Sequence, residues 1–289
     1  GLFRTVVAPD GTVVDDRAML YDQAFVLLAL AESQKLWGKR ADLVREGRQL
    51  RQALGLLGHV DGHGFYCGMP DTLPLLSNPH MHLFESALSW IEVSDDPEWR
   101  ALADMIGGLA LTRMIDPAIG AMRETYAADW TPAPGLHGRI LEPGHQFEWA
   151  WLLLRWGGPD PAATRAAALR LIEIGERHGV RGDVAINALL DDLSVHDAAT
   201  RLWPQTERLK AAALAAEVTD EPRYWTHAAD AAECLLRFFD VPVRGLWRDR
   251  LTADGVFIEE PAPASSFYHI IIGIAELSRA MGNTGNMGT

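Results

Sequence analysis

Five polar and aromatic clusters recur along this chain at nearly constant spacing, and each stands at the head of a helical run. One residue taken from each cluster gives Tyr21, His82, His145, Gln205 and His269, with steps of 61, 63, 60 and 64 residues. A steady period of that length belongs to repeated helix pairs. Apolar periodicity predicts helices over 15–34, 39–57, 79–93, 96–115, 144–156, 160–178, 204–218, 221–239 and 266–281. Strand-like pieces fall only inside long connections, from Val184 to Leu190 and from Leu246 to Ile258. The helices alternate in kind. Those that follow long loops are apolar nearly all round, as from Phe147 to Trp151, and are expected to be buried. Those that follow short links start at signals such as Asp95-Asp96-Pro97 or Gly158-Pro159-Asp160 and carry a charged face, as from Arg40 to Gln52.

This order predicts an all-α fold of inner and outer helices, an (α/α)6 barrel that is incomplete, with five inner and four outer helices present. The polar heads of the inner helices would meet in one pocket. A straight superhelical stack of helix pairs is the competing architecture. Residues 1–281 are expected to form a single domain lacking its first helices, and 282–289 a disordered tail.

Composition narrows the partners. A net charge of -13 argues against nucleic acid, which needs clustered Lys and Arg. No run of about 18 apolar residues predicts a membrane span. Two distant cysteines, Cys67 and Cys234, fit a reducing, cytoplasmic setting better than a disulfide framework. Ten Trp in 289 residues suit either a large core or a sugar pocket. The expected partner is a small sugar, and a homodimer is an allowed assembly.

The candidate chemistry lies in the helix heads. His145 follows Pro143-Gly144 in the first turn of its helix, where the positive helix end favours a neutral imidazole, a competent base. Glu148 shares its face. A capping-region His beside a surface Glu is the plainer alternative. His269 also falls in a first turn, after Ser265-Ser266, but the following Ile270 to Ile272 equally suit a core histidine. In the third cluster Asn78 reads as a cap and Pro79 as the first helical residue, with His82 and Glu85 on one face. Trp203 could stack on a sugar ring, and Gln205 and Glu207 could bind hydroxyls; Trp203 would also serve to close the core. Arg123, Arg139, Arg201 and Arg208 are the arginines that could hold a phosphate. A zinc site from His82, His145, Glu148 and His269 finds no support in ligand spacing. His59 to Gly64 reads as a turn-rich loop.

These clusters resemble the N-acylglucosamine 2-epimerase superfamily, through LYDQAFVLLALA (20–31), NPHMHLFESAL (78–88), EPGHQFEWAWLL (142–153), RLWPQTERLKA (201–211) and PASSFYHI (263–270). The motifs stand in family order across nearly the whole chain, and the branch looks most like mannose isomerases and mannose-6-phosphate isomerase-like members. The resemblance implies an (α/α)6 barrel without metal or redox cofactor. It implies aldose–ketose isomerisation or 2-epimerisation through an enediol, with His145 and His269 as the acid/base pair and Glu148 orienting a histidine. It further implies that Tyr21, Asn78, His82, Glu85, Arg201, Trp203, Gln205 and Glu207 bind substrate. The family's N-terminal helices, which supply an arginine to the pocket, have no counterpart here. An isomerase of the mannose/fructose type is the first expectation. The others are a 2-epimerase of N-acylglucosamine or a disaccharide, a glycoside hydrolase or lyase using Glu142, Glu148 or Glu207, and a non-catalytic sugar-binding fragment.

Overall fold

A computed structural model describes residues 1–38, 40–59, 61–70 and 72–285. Nine α-helices occur among the described residues, joined by loops that hold short antiparallel strands of two or three residues. None of these helices is long and apolar enough to cross a membrane. Where a single domain is expected, the backbone contacts gather into two compact units. One is Gly1–Ile115 with Arg123–Gly138, and the other is Asp116–Met122 with Arg139–Thr289.

The first unit holds α1 (Leu20–Trp37), α2 (Ala41–Ala53), α3 (Ser77–Val93) and α4 (Pro97–Leu109). Helix α3 buries 13 of its 17 residues and α2 only Gly47 and Leu50, which separates inner from outer. Asp96 caps α4 by accepting from the Glu98 amide, ahead of Pro97. Trp90 of α3 ties the four helices together. Its indole N–H donates to the Leu27 carbonyl of α1 at 3.0 Å, and its ring stacks on Trp99 of α4 at 4.8 Å. Gly47 of α2 lies so close that a Cβ there would sit 2.3 Å from the Trp90 ring. Glycine is therefore required at that crossing.

The second unit holds α5 (Pro143–Trp156), α6 (Pro161–Ile174), α7 (Trp203–Thr219), α8 (Pro222–Phe238) and α9 (Ser266–Gly285). Helix α5 buries 12 of 14 residues and α7 12 of 17. Helix α7 packs against α5, α8 and α9. Its small residues Ala212 and Ala213, with Leu209, join Ala228, Ala231, Leu235 and Phe238 of α8 and Ile270 of α9 in one core. Asp160 accepts from the Ala162 and Ala163 amides to cap α6.

The inner helices share a device that the spacing of clusters does not reveal. Near the start of α5, the Gln146 amide accepts the Met122 N–H at 2.8 Å and donates to the Met122 carbonyl at 2.8 Å. It also faces the Glu142 carbonyl, four residues back, at 3.4 Å. Gln205 of α7 grips Ala185 in the same way, at 2.8 and 2.9 Å, and donates to the Arg201 carbonyl. Gln23 of α1 grips Phe3 and bonds the Met19 carbonyl. In α3 a histidine does the work: His80 Nε2 accepts the Phe65 N–H at 3.0 Å, and Nδ1–H donates to the Leu76 carbonyl at 2.8 Å. Each clamp gives a loop residue the partner that a neighbouring strand would give. The clamps stand at 23, 80, 146 and 205, steps of 57, 66 and 59 residues. The nearly even spacing of 60 to 64 residues therefore joins residues that are not structurally equivalent.

Several boundaries differ from expectation. The first helix begins at Leu20, not 15, because Asp15 lies in the strand Val13–Asp15, which pairs with Val6–Val7, and binds the Arg17 guanidinium. Helix α3 begins two residues before Pro79, so Asn78 is inside the first turn and is not the cap. Ser77 is pinned there by Glu124, through both its N–H and its hydroxyl at 3.0 Å. Helix α7 starts at Trp203, which places Pro204 second. Helix α9 continues through Gly282 to Gly285, and 286–289 lie outside the described residues.

Replacing Gln146 or Gln205 by Leu strands a buried N–H and C=O together, and each change should cost about 2–4 kcal/mol in urea unfolding. His80 is fully enclosed, and burial pushes its pKa down to about 4. The unfolded chain takes up that proton near pH 6.5, before the folded chain does. Stability should therefore hold above pH 6.5 and fall as the pH drops towards 4, by up to about 3 kcal/mol. His80→Gln should flatten that part of the stability–pH curve.

Candidate functional site

The clamp register also orders the polar side chains. Two residues beyond each clamp stand Phe25, His82, Glu148 and Glu207, and five beyond stand Leu28, Glu85, Trp151 and Lys210. Inner helices thus carry their chemistry one turn inside the point where the loop is fastened.

In the second unit this register brings together the heads of three helices. The Trp203 ring lies against two imidazoles, 5.0 Å from His145 and 5.4 Å from His269, tilted by 36° and 34°. Gly144 makes room for it, since a Cβ there would meet the indole at 2.5 Å. Arg201 lies over the same indole at 5.1 Å and pairs with Glu142 at 3.0 Å. His145 Nδ1 stands 4.0 Å from Glu142. His269 Nδ1 stands 2.7 Å from Glu207, whose other oxygen meets Lys210 Nζ at 2.5 Å. The Lys210 ammonium also rests on the Trp151 face at 4.0 Å. Glu148, Glu207 and Lys210 are all fully buried.

Burial opposes the charge on Glu207, but Lys210 and His269 prevail and hold its carboxyl below the ordinary carboxylate range. The ionised carboxylate can only accept, so His269 presents Nδ1–H to it. Glu148, Glu207 and His269 each offer a ligand atom within 4.8 Å of the others. The cation that balances Glu207 at this point is the Lys210 ammonium.

In the first unit, Tyr21, Phe25 and His82 form an aromatic corner. The Tyr21 ring meets His82 edge-on at 5.1 Å, and Phe25 lies 4.6 Å from it. Glu85 stands 3.6 Å from His82 Nδ1. The Asn78 carbonyl oxygen is enclosed with no hydrogen-bond partner among the described residues, so it can accept from a ligand.

Two expected roles change. Gln205 does not face a ligand, because its amide is fully engaged by Ala185 and Arg201. Of the arginines considered for phosphate, Arg208 is bound at two points by Glu176 and Arg139 by Asp191 and Asp192. Arg201 alone among them lies over the indole. Sequence reasoning missed Phe25, Trp151 and Lys210. The usable signal for Lys210 was a lysine on a helix with no solvated face.

Comparison with known proteins identifies the family. The family model for N-acylglucosamine 2-epimerase (GlcNAc 2-epimerase) matches residues 1–273. The mannose-6-phosphate isomerase of Rhizobium meliloti (strain 1021) is 49% identical over 288 residues, 96% of this chain and 74% of that protein. The D-mannose isomerase of Thermobifida fusca is 25% identical, with 86% and 65% covered. The cellobiose 2-epimerase of Spirochaeta thermophila DSM 6192 superposes with a TM-score of 0.84 at 22% identity, covering 98% of this chain and 75% of that one. A D-mannose isomerase structure gives 0.82 at 20% identity, covering 93% and 74%. At such identities these two structures establish the shared fold, the (α/α)6 class expected from the helix pairs. By the extent of the family match and the 49% identity, the chain belongs to the N-acylglucosamine 2-epimerase family and is an enzyme of its isomerase and epimerase type.

Proposed function

We propose that the chain is an aldose–ketose isomerase of the mannose/fructose type, with His145 and His269 as its acid/base pair. The observation that carries this reading is the contact of Trp203 with both imidazoles at the heads of α5, α7 and α9. An indole suits a sugar ring, and imidazoles beside it can reach its reacting carbons. The 49% identical mannose-6-phosphate isomerase supports isomerisation as the outcome.

The chemistry follows from the groups present. Once the sugar ring opens, the C2 proton is acidified by the C1 carbonyl. Neutral Nε2 of His269, fixed by Glu207 behind it, accepts that proton. The electron pair left on C2 forms the enediol as O1 gains negative charge, which the first-turn N–H groups favour. Return of the proton to C1, with the O2 proton passing to O1, gives the ketose. Delivery by the other histidine to the opposite face of C2 would give the 2-epimer instead. The two flanking imidazoles make that second reading worth testing in the same experiment. Tyr21, Asn78, His82, Glu85, Glu148, Arg201 and Glu207 are assigned to substrate binding and orientation. A cytoplasmic setting accords with Cys67 and Cys234, both buried free thiols.

Incubation with D-mannose in D₂O, followed by proton NMR, should yield fructose deuterated at C1. Glucose without fructose would transfer the assignment to 2-epimerisation. Inertness towards mannose, mannose 6-phosphate and N-acylated sugars would leave a binding protein. His145→Ala and His269→Ala should each lower turnover by about 10²–10⁴-fold with the circular dichroism preserved. Near-normal turnover in either variant would remove that histidine from the mechanism. Gly144→Ala should push Trp203 aside and reduce kcat/KM by about tenfold or more, a loss read from initial rates.

A further inference from the structure

Lys210 is a fully buried lysine held against a carboxylate and an indole face. Its Nζ lies 2.5 Å from Glu207 and 4.0 Å from the Trp151 ring centre, and the opposite oxygen of Glu207 lies 2.7 Å from His269. Lysine is seldom taken wholly out of water, and a buried ion pair gives little net stability. A pair of this kind at a conserved volume would be more safely replaced by apolar residues. Its presence one turn behind a histidine head therefore calls for a chemical reason.

The reason lies in proton counting. Glu207 alone would be a single negative charge inside the protein, and it would recover neutrality by holding a proton together with His269. That proton would either charge the imidazole or reverse its tautomer. In both cases Nε2 of His269 would no longer carry the lone pair that a base needs. The ammonium supplies the balancing charge without a proton being shared. We propose that Lys210 is a positioning residue for His269: fixed between the Trp151 face and Glu207, its ammonium keeps that carboxylate as acceptor of the Nδ1–H and leaves Nε2 as the proton-transfer atom.

The other groups packed around this chain of contacts are accounted for. Helix α5 presents Glu148 beside Glu207 and His269, and carries Trp151. Near the head of α5, Glu142 is paired with Arg201 and stands 4.0 Å from His145. The turn after α6 presents Glu176, bound to Arg208. Helix α8 presents Cys234, whose thiol faces Gln205 at 3.7 Å and is pushed up to about 11 by burial. With Glu148 also acidic, the site depends all the more on the lysine for balance.

The inference rests on His269 being a proton-transfer group, but its test does not need turnover. The full chain, labelled with ¹⁵N in histidine, is titrated by NMR without sugar. Neutral His269 should carry its proton on Nδ1 at pH 7. In Lys210→Met the Glu207–His269 pair should take up a proton, which charges the imidazole or moves its proton to Nε2. The acid limb of the kcat/KM profile should move to higher pH, with a loss of about tenfold at pH 7. If Lys210→Met fails to fold, the double variant Glu207→Gln/Lys210→Met removes both buried charges together and is compared with Glu207→Gln alone. The same His269 tautomer in both is expected, because the lysine acts through Glu207. A His269 tautomer and titration unchanged in Lys210→Met, or differing between the double variant and Glu207→Gln, would overturn the proposal. A chain with the expected spectra but no activity on any sugar would overturn the isomerase reading and leave the role of Lys210 standing.

Discussion

The loops of this protein hang on amide clamps. A long connection that folds back over an inner helix buries backbone groups with no strand or helix to receive them, and unsatisfied groups of that kind cost more than a loop can return. Gln23, Gln146 and Gln205 answer this with a side-chain amide that copies a backbone partner, one donor and one acceptor aimed at a single loop residue. His80 uses its two ring nitrogens otherwise, Nε2 accepting from the loop residue Phe65 and Nδ1–H donating to Leu76 at the head of its own helix. Because each clamp sits in the first turns, the loop is fastened to the helix end from which the polar side chains project. A rigid helix and a fixed loop then share one frame of reference, which proton transfer over short distances requires.

Burying helices on nearly every side constrains their charges. Helix α7 carries Glu207, Arg208 and Lys210 within four residues, and none reaches solvent to any useful extent. Each is therefore matched inside the protein, Arg208 to Glu176 and Lys210 to Glu207. Helix α5 meets the same constraint differently, placing Trp151 where α7 has Lys210 and lending that ring to the lysine. The neighbouring alanines of α7 let α8 approach closely, so the charges are enclosed by packing that leaves little room for water. Such an interior strengthens every remaining electrostatic contact.

The helix pairs were legible because apolar periodicity and capping signals act over local stretches: Asp96 and Asp160 cap the helices where their sequence says. His145, Trp203 and His269 were legible as a group since polar and aromatic residues at buried helix heads need explanation. The clamps were not, because a glutamine and a histidine fill equivalent places and their partners are loop backbone atoms that no side-chain pattern marks. Gln205 was accordingly read as a ligand contact although Ala185 occupies it. Lys210 is not marked by any local pattern, its meaning depending on the burial of all sides of α7. The start of α3 shifted for a similar reason, since Glu124, distant in sequence, holds Ser77.

Trp203 has a further consequence for how the helix heads are held. Its ring touches His145 of α5 and His269 of α9, and the Arg201 guanidinium lies over it. The close approach of Gly144 leaves the indole no slack on the α5 side. A shift of either helix head is therefore passed to the other through one rigid ring, so the two imidazoles move as a pair and not independently.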